Sequence, residues 1–382
     1  MFDASRNDDS VGILNDGEFN GDDGNDSVGV LNGGEFKGED GNDTVDTQNG
    51  GYFDGGIEND TVTTLNAVIN SFGDPNFYGG AGEDHVETLT SGFFHGANGN
   101  DTVTTLNAAN ETEIQPNFNG DVGDDHVETQ KSGNFMGYIG NDSVKRLEGG
   151  TFNGEQEVDS VETLTVQGEF YGGGGDDHVD TMIDGGVFYG MGDDDIVTTI
   201  DGSSFWGGGG NDFISEFKDG FFVGWHGDPK DYHGEPDNDH VGTMYGGAFR
   251  GRYGHDYVDH MLGGQFNGFD GADYVTTMDG GYFFGSWGGD HVVTMNDGEF
   301  DGHNGDDYVE TMNGGTFNGE IGNDYVITYH DGTFNQEFGL MIGELARSKE
   351  IPTSVASRMA MTRQVNDVPS VTTPLRAARM PA

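Results

Sequence analysis

The chain has 382 residues, with 15 Lys+Arg against 69 Asp+Glu and a formal charge of −54. Phosphate repels such a chain, so nucleic acid is excluded as an expected partner, and anionic membrane surfaces are disfavoured. There is no Cys, so neither a disulfide nor a thiolate metal site can staple the fold, and compactness at this charge calls for neutralising cations.

The first ten residues, MFDASRNDDS, offer no charged n-region or apolar h-region, so no secretory signal peptide is expected there. No run of 18 apolar residues exists, so no membrane insertion is expected. From the start the sequence repeats at 17 residues. NGGEFKGEDGNDTVDTQ (Asn32 to Gln48) is followed by NGGYFDGGIENDTVTTL (Asn49 to Leu65), and NGGTFNGEIGNDYVITY (Asn313 to Tyr329) returns far downstream. Gly supplies 70 residues and Phe 27, about one Phe per repeat. A fixed short period with apolar anchors and glycine-rich corners predicts an all-β parallel solenoid over residues 1–337, not a globular core. The Phe positions, from Phe2 and Phe19 to Phe317 and Phe334, give about 18 turns. At about 4.8 Å per turn the rod is roughly 85 Å long.

Each turn offers two short strands, GxFxG with Phe inward and DxVxT with Val inward, because alternation at period 2 sends their neighbours outward. Two thin parallel sheets should face each other. An Asn-Gly or Asp-Gly pair makes one corner and GxxGxD the other. Three insertions break the period. Asn66 to Phe77 and Asn107 to Phe118 each add seven residues at the Asn-Gly corner, and a third adds ten near Trp225 to Asp239. These read as loop growth. Past Phe338 the composition turns basic; Leu340 to Lys349 has the pattern of a short capping helix, and residues 338–382 form a tail that could serve as an export signal or an assembly arm.

The chemistry lies in GxxGxD. Its glycines free backbone carbonyls and its Asp adds an anionic oxygen, a donor set that suits Ca²⁺ with six to eight hard oxygens better than Mg²⁺. The candidate ligands are Asp26, Asp43, Asp60, Asp84, Asp101, Asp125, Asp142, Asp177, Asp195, Asp212, Asp239, Asp256, Asp273, Asp290, Asp307 and Asp324. Asp159 is set apart, because its turn, GEQEVDSV (Gly154 to Val161), has lost the second Gly.

GGAGEDHVE (Gly79 to Glu87), GGGGDDHVD (Gly172 to Asp180) and GGGGNDFIS (Gly207 to Ser215) resemble the nonapeptide GGxGxDxUx of the RTX (repeats-in-toxin) calcium-binding family. The resemblance covers roughly residues 1–334. It implies a calcium-bound β-roll that folds outside the cell after type I export. The chain departs from that pattern in having the Asp at one corner only, so one ion ladder is expected. The order GND-x-V…GG-x-F-x-G is also similar to the calcium-bound β-helical ice-binding domain of a giant bacterial adhesin. DDGND (Asp22 to Asp26) and YIGND (Tyr138 to Asp142) carry Asp or Ile where that family presents Thr, which makes a poor ice template.

Of the outward rows, Thr64, Thr88, Thr105, Thr129, Thr163, Thr181 and Thr199 are expected to be structural, with hydroxyls bonding along the stack. Tyr257, Tyr274, His291, Tyr308 and Tyr325 form an aromatic ladder that could meet sugars or a second copy. No nucleophile elbow, phosphate loop or zinc helix is present, and no enzyme is expected. The expected function is a secreted or cell-surface, calcium-loaded structural protein that could add to itself end to end. The alternative is an adhesin-type module for glycan or ice, with a β-helical polysaccharide enzyme behind it.

Overall fold

The computed structural model describes residues 2–3, 6–68, 74–108, 116–224 and 237–336. The third insertion up to residue 236 and everything after residue 336, including the expected capping helix and tail, lie outside the described residues. Within them the chain is a parallel β-solenoid of 33 strands in one hydrogen-bonded network. Equivalent residues one turn apart pair in register: Phe36 with Phe53, Val45 with Val62, Val292 with Val309. Even Phe2 pairs with Phe19.

The interior holds three rows, not the two anchors read from the sequence. Phe fills one row and Val the second. The third runs from Leu31 through Leu65, Leu106 and Leu147 to Met261, Met295 and Met312, all fully buried. This row is the last residue of DxVxTL, directly after an outward pair, because the strand departs from strict alternation at the Thr and turns the next side chain back inside. Gln48 and Gln130 occupy it in two turns. They stay buried by donating from Nε2 to main-chain carbonyls, Gln48 to Asn76 O at 2.6 Å and Gln130 to Gly133 O at 2.9 Å.

Backbone hydrogen bonding sets the rung spacing, and the Phe rings follow it. Their centroids lie from 4.6 Å (Phe118–Phe135) to 5.0 Å (Phe19–Phe36) apart, with planes near parallel. Burial of a Phe, Val, Leu or Met side chain is worth about 1.5–3 kcal/mol, so the three rows together stabilise a chain with only 32% hydrophobic residues.

The expectation of two separate sheets is corrected. Ser143–Gln156, Ser160–Gly174, Ile196–Gly208 and Phe213–Val223 are single long strands that carry the ladder round the Asn-Gly corner. The pairs Gly149–Gln167 and Gly150–Gly168 show how: after a one-residue shift between Leu147 and Gly149 the pairing resumes at the corner, so the ladder runs on round it. The first two insertions return to the stack alike. Ala67 and Ala108 are buried, and Asn76 Oδ1 and Asn117 Oδ1 accept from the N–H of Phe93 and Asn134 at 3.0 Å.

Candidate metal centre: a buried aspartate row

The GxxGxD corner is tight because two of its positions hold left-handed backbone. The residue after the first Gly has positive φ whatever its side chain, as at Asp22 (72°), Tyr138 (82°) and Phe269 (76°). The second Gly has φ near 140°, as at Gly41 and Gly140, and a Cβ there would overlap the carbonyl oxygen of the turn before. These two bends swing the following Asp inward.

All sixteen candidate aspartates are therefore inside the solenoid rather than along its rim, each with at most 1% of its surface exposed. Asp159 joins them as a seventeenth. It is fully buried, and the Asp142 N–H donates to its Oδ1 at 2.7 Å. Loss of the second Gly did not remove it, because Glu157 takes up the left-handed backbone itself at φ 67°. One bond recurs along the row: the N–H of each Asp donates to Oδ1 of the Asp one turn on, at 2.6 Å from Asp26 to Asp43 and 3.0 Å from Asp195 to Asp212. The row extends one turn earlier, where Asp9 N–H donates to Asp26 Oδ1 at 2.6 Å.

The second oxygen, Oδ2, has no hydrogen-bond partner in any of the seventeen. It packs against the Cα of the Gly five residues earlier, the second Gly of GxFxG. A Cβ at Gly38 would overlap Asp43 Oδ2 and approach the carbonyl oxygen of Gly55, and the same holds at Gly207 for Asp212. So each turn places an unpartnered carboxylate oxygen, joined in turns such as those of Gly38, Gly55 and Gly190 by a main-chain carbonyl, around a space that only glycine leaves open.

Burial pushes these carboxyls up, with like charge on neighbouring turns adding to it. Asp84 reaches about 6, Asp43 and Asp142 about 7, Asp101 about 8, Asp125 and Asp159 about 9, and Asp195 about 10. Two unit charges at a rung spacing of about 4.8 Å repel by about 3 kcal/mol even at an effective dielectric constant of 20. A row of seventeen bare carboxylates does not persist at neutral pH. A proton on each, or a cation among them, has to balance it. The donors are hard oxygens, carboxylate and carbonyl, repeated at every turn, and this set fits Ca²⁺.

The outward rows differ from the expectation in one respect. None of the seven threonines Thr64 to Thr199 bonds hydroxyl to hydroxyl along the stack; the side-chain ladders are instead amide ones, as from Asn49 Nδ2 to Asn32 Oδ1 at 3.0 Å. The aromatic ladder is present, with Tyr257–Tyr274 at 5.2 Å, His291–Tyr308 at 4.0 Å and Tyr308–Tyr325 at 5.0 Å. The step between them, Tyr274–His291, is edge-on, at 5.2 Å and 68°. A second group was not read from the sequence. One ligand atom each from Asp301, His303 and Glu320 lies within 4.8 Å of the others, and His303 Nδ1 is 3.0 Å from Glu320 Oε2. These come from two turns and from outward positions that no motif marks.

No protein-family model and no curated protein matches the sequence. Among solved structures the chain is similar to a hyperactive, Ca²⁺-dependent, β-helical antifreeze protein from an Antarctic bacterium. The identity is 15%, over 86% of this chain and 85% of that one, with a TM-score of 0.33.

Proposed function

We propose that the chain is a calcium-loaded structural solenoid, exported and closed on reaching millimolar calcium, working at the cell surface or beyond it. One observation carries the reading: seventeen stacked, buried aspartates, each with an oxygen that has no partner. A buried charge without a partner costs far more than one bonded or coordinated. The same carboxylates that hold the ion would unfold the corner in its absence, so ion affinity and folding are one free energy. Extracellular calcium modules bind at about 10⁻⁴–10⁻³ M, a range that would keep the chain open in the cytosol and close it outside. Type I export and end-to-end addition of copies are parts of this proposal that rest on the repeat resemblance and on the exposed strand edges of a solenoid.

The test is far-UV circular dichroism of the full chain during a calcium titration, with magnesium as control. A cooperative gain of β-structure specific to calcium is expected. A chain already fully folded in excess chelator, with no further change on adding calcium, would overturn the reading and leave the aspartates as protonated turn residues. Light scattering at millimolar calcium tests assembly separately.

A further inference from the structure

Outside the aspartate row, three metal-ligating side chains meet on the outer side of two adjacent turns. Asp301 and His303 come from the strand Glu299–Asn304, and Glu320 from the turn after it. Alternation sends Asp301 and His303 outward, with Gly302 buried between them. The bridge between Asn304 and Ile321 sets the two turns in register, so Glu320 stands beside His303. One ligand atom of each lies within 4.8 Å of the other two, and His303 Nδ1 is 3.0 Å from Glu320 Oε2.

Two further observations point to a cation. Asp301 Oδ1 is buried and has no hydrogen-bond partner. Between Arg252 and Arg347 the sequence has no Lys or Arg, so no basic side chain of these turns balances the two carboxylates. Burial raises the Asp301 carboxyl, the charge of Glu320 adds to the rise, and His303 only partly offsets it. The same register positions elsewhere make a comparison. His95 stands where Asp301 does, Ala97 where His303 does and Asp121 where Glu320 does. There His95 Nε2 and Asp121 Oδ2 lie 3.1 Å apart, an ion pair complete with two groups. Around Asp301 a third ligand is present and the charge is not balanced.

We propose that Asp301, His303 and Glu320 form a site for a divalent ion of the zinc class, distinct from the aspartate row in place and in chemistry. Imidazole nitrogen suits zinc and its neighbours, whereas calcium takes oxygen. Ligand atoms about 2.0–2.2 Å from zinc stand about 3.4 Å from one another in a tetrahedron, so small side-chain rotations close this set. The three leave a fourth position for water, because the His303 and Glu320 side chains are 45% and 40% exposed. The ion ties two turns together where their pairing is thin. Thr316–Asn318 is a strand of three residues against six in Glu299–Asn304, and Ile321 rejoins the sheet by a single bridge. The site does not rest on the calcium reading, since none of its ligands belongs to the aspartate row.

The experiment is calorimetric zinc titration of the full chain in millimolar calcium at neutral pH, as wild type and as His303→Asn, Glu320→Gln, Asp301→Asn and His95→Asn. Asparagine suits the left-handed backbone that His303 holds at φ 69°, and the other changes keep shape while removing charge. Wild type is expected to bind one zinc per chain ahead of any weaker uptake at the other histidines, and excess calcium should not displace it. Each of the three site variants should weaken that class by no less than the about 10–100-fold that loss of a ligand's outer partner costs. His95→Asn should titrate as wild type. Circular dichroism before zinc is added checks that each variant carries the wild-type β-signal, and any one site variant that folds is enough to decide. A wild type without a one-to-one zinc class, or a folded His303→Asn that keeps it, overturns the proposal. Loss of the class in His95→Asn as well would show scattered surface uptake and overturn it too.

Discussion

Two rows run the length of this solenoid, one residue per turn, both fully buried. The Phe row is complete as it stands, since each ring meets the rings above and below near 4.8 Å and needs nothing else. The Asp row is incomplete. Oδ1 is satisfied by the next backbone N–H, but Oδ2 is not, and the charges repel along the stack. The difference teaches that stacking identical residues helps when their contacts are attractive dispersion, and turns against the fold when they are like charges. A repeat that keeps both rows has one half that holds the rod together and one half that makes it conditional.

The largest expected effect falls on the unconditional row. Phe152→Ala, in the middle of the rod, should cost about 3–5 kcal/mol. The loss read by chemical denaturation should be the same in calcium at neutral pH and in chelator at acid pH, where protonated carboxyls need no ion; a loss confined to calcium would show that the two rows are not separable. Asp142→Asn should have opposite signs in calcium and in chelator at neutral pH. In calcium it removes a ligand and should destabilise by about 1–3 kcal/mol; in chelator it removes a buried charge and should stabilise. The same sign in both would make Asp142 an ordinary turn residue.

A third prediction uses pH. These carboxyls are raised in the folded chain, from about 6 at Asp84 to about 10 at Asp195, against 3.8 for an ordinary Asp. The folded state thus binds more protons than the unfolded one above pH 3.8. In chelator, stability should be full below that value and should fall as pH rises through 6 to 10. Saturating calcium should flatten the slope. Melting temperature against pH in the two buffers measures it, and a flat profile in chelator would mean the row carries no strain. The smallest effect is at Gly209. A Cβ there meets nothing within 4 Å, and its backbone is not left-handed, so Gly209→Ala should stay within about 0.5 kcal/mol. Two residues earlier, Gly207 packs on Asp212 and tolerates no Cβ, so a large cost at Gly209 would show that the loop, and not the Asp row, sets the need for glycine.

Much of this was legible in the chain. The period, the Phe and Val rows, the in-register parallel pairing and the identity of the sixteen aspartates follow from spacing alone, because a solenoid repeats its local rules at every turn. Asp159 was not legible, since a missing Gly reads as a broken loop until the backbone shows Glu157 taking its left-handed angle. Nor was the third core row: strict alternation sends the Leu and Met positions outward, and only the bend after the Thr brings them in. Fusion of the two sheets around the Asn-Gly corner was not legible either, because it goes through a shift of register at the turn that the neighbouring strands absorb.

Sequence by itself determined that this protein is a repeat, which residue types stack, and that its charge needs a counter-ion. Tertiary structure decided where that charge sits. Asp lies at a corner in sequence, and corners are ordinarily wet. The two left-handed bends turn the carboxylate inward, against a glycine Cα and next to a carbonyl of the adjacent turn. Spacing along one chain carries no record of that, because the enclosing walls come from the turns above and below.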